Sequence, residues 1–312
     1  MLSIEEYTKV NESYSKVLTY KVGIDSGFFS EYNNMILAML YCLENQIQFR
    51  LCSGGTNFNP TKGWNGYFNN FCDTVEDRQS HYRTLDWKYA LKLIVKRRDR
   101  SAIRSLYPYL SFWKRNLLTQ DVFGKCRDKS RYKKLHIIPD LDFRGSTQEL
   151  CFLLVNLTWK YNATTQRRID EIVNALSLPS KYVSIHVRRG DKIVESSYYP
   201  LNQYFEKLDG NIKDLFVATD DYSVVEDIKS KYTDWNVWTL CSSSERGYSQ
   251  SSADKENAIE KDRNMITLFA TMEILNKSER FVGTYSSNIG MFQGMRKPSI
   301  CQGVDFDRWL VW

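Results

Sequence analysis

No apolar run in this chain approaches the ~18–20 residues that a membrane-crossing helix needs, which excludes a helical integral membrane protein. The first residues, Met-Leu-Ser-Ile-Glu-Glu-Tyr, lack the basic and apolar regions of a secretory signal, so none is expected. The seven cysteines (42, 52, 72, 126, 151, 241 and 301) are odd in number and form no Cys-x-x-Cys pair. They suggest neither a disulfide framework nor a zinc site, and a reducing cytoplasm is the simplest location. Proline is scarce, with six in 312 residues, and no internal repeat is visible. What remains, 42% hydrophobic and 26% charged residues, is the composition of a soluble globular protein. The length suffices for one large or two ordinary domains.

The net charge of +6 conceals an asymmetry. Residues 83–134 carry sixteen Lys/Arg against four Asp, a local balance of +12, which leaves about −6 for the rest. Trp87, Tyr89, Tyr107, Tyr109, Phe112 and Trp113 are interleaved with these charges. A solvated helical face followed by a basic loop accounts for the segment. The alternative is peripheral contact with an anionic surface, either a membrane or a phosphate-bearing acceptor. Charge alone also permits nucleic acid, but no recognition motif accompanies it.

Along the chain, residues 33–50 read as a buried helix with Asn33 and Asn34 as cap candidates. Residues 49–52 read as a strand stopped by Ser53-Gly54-Gly55, 85–120 as helical and basic, and 136–139 as a short strand. Helices are expected over 147–159 and 166–176, the second feeding Ser177-Leu178-Pro179-Ser180, the best linker candidate. The expected division is therefore an N-terminal α/β domain, 1–177, and a C-terminal domain, 178–312. In the latter, strands 182–187, 214–218, 236–240 and 280–284 alternate with helices 200–208, 222–231 and 257–276 and one starting near Asn288. Such alternation predicts a doubly wound parallel sheet. The Ser-rich loop 242–252 is either a lid or disordered.

The most informative stretch follows that linker. The apolar run Tyr182 to Val187 reads as a buried strand and ends abruptly in Arg188-Arg189-Gly190-Asp191-Lys192. Guanidinium forks bind phosphate oxygens bidentately and stay charged at any working pH. At the C-terminal end of a parallel strand they stand where open α/β sheets bind ligands. Two arginines there suggest a pyrophosphate.

The string His186-Val187-Arg188-Arg189-Gly190-Asp191-Lys192 resembles the signature of the GDP-fucose-dependent fucosyltransferase superfamily, above all its α1,6 branch of core and nodulation enzymes. Related α1,2 enzymes carry a similar string. Three further segments agree: Leu215-Phe216-Val217-Ala218-Thr219-Asp220-Asp221, Phe281-Val282-Gly283-Thr284-Tyr285-Ser286-Ser287-Asn288, and the glycine-led turn Gly27-Phe28-Phe29-Ser30. The resemblance covers about the last 140 residues well, is patchy over 20–75 and is absent between 80 and 160.

It implies a GT-B-like two-domain glycosyltransferase whose C-terminal Rossmann-like domain binds GDP-fucose. The N-terminal domain would take an oligosaccharide or glycoconjugate acceptor and close over it with Gly27 and Phe28. It also implies inversion without a metal, arginine replacing the cation. The one Asp-x-Asp string, Asp140-Leu141-Asp142, lies outside the motif set, so no metal and no cofactor are expected. Arg188 matches the family's essential arginine, Arg189 is its companion, and His186 matches the histidine of the guanine-side pocket. Ser286 and Ser287, at a strand-to-helix turn, are expected to offer hydroxyls and free amides to phosphate. The family's guanine-reading aspartate falls on Thr271, so Glu273 is the substitute. Glu195 matches the family's glutamate with a one-residue gap and is the candidate general base, with Asp191 competing. Asp220 and Asp221 either cap the next helix, or bind the ribose or position the site arginines.

Overall fold

A computed structural model of the chain describes residues 2–110, 113–133, 135–190, 198–208, 210–247 and 256–311. They form two compact units, the first ending at Asn162 and the second running from Ala163 to Val311. The boundary thus precedes the expected linker. Helix Ala163–Ala175 belongs to the second unit because it packs on helix Ala258–Lys277, where Arg168 Nη2 donates to Asp262 Oδ2 at 2.6 Å.

The first unit is built on a parallel sheet in the order β2-β1-β3, with β1 Lys16–Lys21, β2 Ile47–Cys52 and β3 Asn116–Leu118. A small antiparallel hairpin pairs β4, His136–Ile138, with β5, Phe143–Gly145. The outer edge of β2 is met by residues 73–75, which pair with Leu51, and next to them by a side chain. Asn11 Nδ2 donates to the Phe49 carbonyl at 3.0 Å and Asn11 Oδ1 accepts from the Phe49 amide at 2.7 Å. The carboxamide stands in for one residue of a further strand and closes the edge locally.

The helix after β1 runs Phe28–Glu44, with Gly27 at its cap, so it starts before the asparagine pair. Asn33 and Asn34 lie inside it and are buried. Fourteen of its seventeen residues are buried, as expected of a helix enclosed on all sides. At its N-terminal end Phe28 packs among Phe29, Tyr32, Phe58, Phe68 and Trp159. The segment 85–120 is not one helix. Helix Trp87–Arg97 stops at Arg98, whose φ of +52° is left-handed, and a tight 3₁₀ turn capped by Asp99, a short helix at Tyr107–Leu110 and β3 follow.

The turn leading into helix Phe28–Glu44 depends on one carboxylate. Glu31 is 2% exposed and accepts from the amides of Gly23, at 3.1 Å, and Ser26, also at 3.1 Å. Arg83 Nη2 donates to the same carboxylate, and Arg83 Nε lies 3.3 Å from Asp25 Oδ1. Glutamine at this position removes the charge that the two amides and Arg83 bind, and a hydrogen bond to a charged group contributes about 1.5–3 kcal/mol. Since Arg83 keeps Asp25 as a partner, Glu31→Gln should lower stability by about 2 kcal/mol in urea unfolding followed by circular dichroism. An unchanged midpoint would mean that the carboxylate does not hold the turn.

In the second unit five strands form a wholly parallel sheet: β6 Val183–Val187, β7 Asp214–Thr219, β8 Asn236–Trp238, β9 Arg280–Gly283 and β10 Cys301–Gly303, in the order β10-β9-β6-β7-β8. The doubly wound expectation holds. All five residues of β6 are buried, as a strand covered on both faces requires. Val183, Ile185, Val187, Leu215, Val217 and Val282 supply the centre of the core.

Candidate functional site

Chain order moves outward from β6 to β7 and β8, then returns to the other side of β6 for β9 and β10. The connections after β6 and after β9 therefore leave in opposite directions, and the crevice at the C-terminal ends of these two strands is the place where doubly wound sheets bind ligands. Register sets Ile185 opposite Val282, so both strands end at the same level. Arg188 and Arg189 follow one strand directly; Thr284 to Ser287 follow the other. Sequence reading placed both groups on strand ends, and the fold makes those ends neighbours.

The turn after β6 is held from the side of β7. Asp220, just beyond β7, accepts the Arg189 amide at Oδ1, at 2.7 Å, and its carbonyl accepts from the Gly247 amide at 2.8 Å. Asp220 thus holds the main chain at Arg189. Asp221 caps the following helix, its Oδ1 accepting from the Ser223 amide at 2.9 Å. Asp221 also bridges to Arg246, which brings 242–247 alongside the arginine turn. Gly247 has φ +98°, and a Cβ there would lie 2.9 Å from Gly190 Cα, so glycine is required for the approach. The Arg189 guanidinium lies 4.6 Å from the Tyr198 ring centroid, a cation–π contact. His186 is buried on β6, opposite Ala218. Asp191 and Glu195 lie outside the described residues, as do residues 248–252 of the expected lid.

The second rim differs in one respect from expectation. Ser287 caps helix Asn288–Arg296 by accepting from the Gly290 amide at 3.0 Å, and its hydroxyl donates to the Thr284 carbonyl at 2.8 Å. The amides expected to be free are engaged. Tyr285 N–H and Ser286 N–H donate to the two oxygens of Asp305 at 2.7 and 2.8 Å, and Ser287 N–H donates to the Thr284 carbonyl at 3.1 Å. Asp305 went unnoticed in the sequence because β10, the strand it follows, is only three residues long. The signal available was a carboxylate two residues after Gly303, just where a last parallel strand would end.

Glu273 cannot serve the guanine pocket. It lies near the C-terminal end of helix Ala258–Lys277, which leads into the start of β9, at the edge of the sheet opposite Arg188. There both its oxygens accept from Arg296 Nη2, at 2.7 and 2.8 Å. Arg296 ends a helix that begins beside Ser287, about 12 Å away at 1.5 Å per residue. The pair ties two helices together. Thr271 Oγ1 donates to the Thr267 carbonyl of its own helix at 2.9 Å. Phe28 is likewise locked in the aromatic core of the first unit, so its ring is a packing group, while Gly27 has open space around it. Asp140, of the Asp-x-Asp string, accepts from Tyr14 Oη at 3.0 Å in the first unit. Among the described residues no group of three or more His, Cys, Asp or Glu side chains is placed to hold a metal.

Two α/β units, the second a doubly wound sheet with paired arginines at its switch point, define a GT-B-like fold with a site suited to an anionic ligand. The chain belongs to the family described as alpha-(1,6)-fucosyltransferase N- and catalytic domains, whose model matches residues 131–292. An alpha-(1,6)-fucosyltransferase of Caenorhabditis elegans is 26% identical over 180 residues, covering 53% of this chain but only 30% of that protein. Among solved structures, NodZ alpha-1,6-fucosyltransferase soaked with GDP-fucose superposes with a TM-score of 0.54 at 11% identity, covering 91% of this chain and 93% of its own. A mutant of Arabidopsis thaliana FUT1 in complex with GDP gives a TM-score of 0.50 at 12% identity, covering 94% and 73%. At such identities these likenesses are of fold.

Asp305 generates a prediction. Asparagine at this position offers one acceptor oxygen where two amides donate, and an unsatisfied buried donor costs about 1–3 kcal/mol. Asp305→Asn should lower the urea midpoint accordingly, and weaken GDP binding in calorimetry because the Ser286–Ser287 turn loosens. Unchanged stability and unchanged GDP affinity together would show that the carboxylate is incidental to the rim.

Proposed function

We propose that this chain is an inverting fucosyltransferase that moves L-fucose from GDP-fucose to a glycan hydroxyl, of α1,6 type. The observation that carries the reading is Arg188 at the C-terminal end of β6, beside the end of β9, within the segment matched by the fucosyltransferase family. When the bond from fucose C1 to the β-phosphate oxygen breaks, negative charge grows on the departing GDP. A guanidinium fixed at a strand end meets that charge without having to reorganise and without losing a proton. Arg188 takes this role, with Arg189 beside it. His186, buried one strand position before Val187, lines the base side of the pocket. From the second rim the hydroxyl of Ser286 takes the phosphate contact, the amides at 285–287 being engaged.

Inversion needs a base that removes the proton of the acceptor hydroxyl as it attacks C1 from the face opposite GDP. Glu195 is the first choice and Asp191 the competitor, since both follow the arginine pair within a few residues of sequence. The acceptor is an oligosaccharide or glycoconjugate. With arginine supplying the positive charge, the reaction runs without a divalent metal.

The test is to incubate the purified chain with GDP-fucose and a panel of glycan acceptors in excess EDTA, measuring released GDP and fucosylated product. Product should form, its linkage α1,6, and Glu195→Gln should reduce kcat by about 10²–10⁴ with GDP affinity nearly unchanged. Loss of turnover in EDTA, restored by Mn²⁺ or Mg²⁺, would overturn the metal-independent mechanism. An active Glu195→Gln variant beside a folded, GDP-binding but inactive Asp191→Asn variant would transfer the base role to Asp191. GDP-fucose binding with no turnover on any acceptor would leave a sugar-nucleotide-binding protein in place of an enzyme.

A further inference from the structure

The helix Trp87–Arg97 is amphipathic in an unusual way. Only Ala90 is buried, with Leu93 and Ile94 half-buried beside it. At 100° per residue these three occupy one arc of the helix. Trp87, Leu91 and Val95, spaced by four, continue the same apolar arc past the part covered by protein, and they are 44%, 40% and 75% exposed. The next strip round the helix is Lys88, Lys92 and Lys96, again spaced by four and all exposed. The apolar surface is therefore wider than the protein can bury, and its uncovered margin runs parallel to a row of ammonium groups.

The surroundings extend this pattern. Beyond the helix, Ile103, Tyr107, Leu110 and Trp113 are 42%, 63%, 61% and 69% exposed, in a stretch that also carries Arg98, Arg100, Arg104, Lys114 and Arg115. The two carboxylates within 86–99 are used locally. Asp86 accepts from the Lys88 and Tyr89 amides at the start of the helix, and Asp99 accepts from the Ser101 amide of the turn after it. Neither interrupts the lysine row.

We propose that this face docks the protein on an anionic lipid surface. Lysines bring it to negatively charged headgroups, and Trp87, Leu91 and Val95 enter the boundary between headgroups and acyl chains, the geometry of a helix lying in the interface. Trp and Tyr side chains favour that layer, having an apolar body and a polar tip. A soluble polyanion would use the lysines but has no need of the apolar strip, and that difference selects lipid as the occupant. No helix among the described residues is long and apolar enough to cross a membrane, so docking is peripheral.

The full chain is sedimented with vesicles of phosphatidylcholine alone and of phosphatidylcholine with phosphatidylserine, at low and high salt. It should sediment with the anionic vesicles only, and less as salt rises. Each lysine near such a surface contributes about fivefold in partitioning, so Lys88→Glu/Lys92→Glu/Lys96→Glu should reduce binding by about a hundredfold or more. Leu91→Gln/Val95→Gln, which removes apolar surface without changing charge, should also release the protein from vesicles while leaving its affinity for heparin unchanged. All the substituted side chains are exposed, and circular dichroism checks that the fold is kept. Should the double variant unfold, Val95→Gln alone serves. Failure of the wild type to sediment with anionic vesicles, or heparin binding with no vesicle binding, would overturn the proposal. So would full vesicle binding by a folded Leu91/Val95 variant.

Discussion

The parallel pairing of β6 with β9 is the constraint on which the candidate site depends. Strand β6 is buried from Val183 to Val187 and carries no Lys, Arg, Asp or Glu, so the first such side chain stands just past its end, at position 188. Pairing Ile185 with Val282 sets the end of β9 level with the end of β6. The chain then departs from these ends in opposite directions, and two polar loops face one crevice. Gly283 leaves room for the ring of Phe281 on its own strand, since a Cβ there would lie 2.7 Å from that ring. Burial and register thus bring together the arginines and the serines, which lie about a hundred positions apart in sequence.

The electrostatics follow a division of work between short and long side chains. Two aspartates hold the main chain of the two rims: Asp220 through the Arg189 amide, Asp305 through the Tyr285 and Ser286 amides. Charged acceptors make stronger bonds to backbone donors than neutral ones do. They fix the main chain from which the arginines extend. The same device appears in the first unit, where Glu31 gathers two amides and Arg83 around the turn before helix Phe28–Glu44. An anionic ligand approaching the second unit meets guanidinium groups carried on a frame that carboxylates have already ordered.

Much of the second unit was legible in the sequence because burial and polarity alternate cleanly along it. Strands β6, β7 and β9 and the helices at 222–231 and 257–276 fall within a residue or two of where periodicity places them, while the helix expected over 200–208 stops at Phe205. The strand ends at 187, 219 and 283 then locate the arginines, the aspartates and the serines. Legibility failed where the decisive information is three-dimensional. Glu273 has the right chemistry for guanine, but helix direction puts it at the wrong edge of the sheet. The amides at Tyr285 and Ser286 are engaged by a carboxylate about twenty residues on. In the first unit β1 escaped notice because Lys16 and Lys21 bracket only four other residues. The basic segment reads as helical throughout because its breaks, a left-handed Arg98 and the turn capped by Asp99, carry no glycine to mark them.

The central claim is that Arg188 recognises a diphosphate through the shape of its guanidinium as well as its charge. Titration calorimetry of GDP against the wild type, Arg188→Lys and Arg188→Ala tests it most directly. A charge-assisted bond contributes about 1.5–3 kcal/mol, so both variants should bind GDP at least about tenfold more weakly, and lysine should recover little of what alanine loses. Wild-type GDP affinity in a folded Arg188→Lys protein would contradict the account, since a point charge at the end of β6 would then suffice.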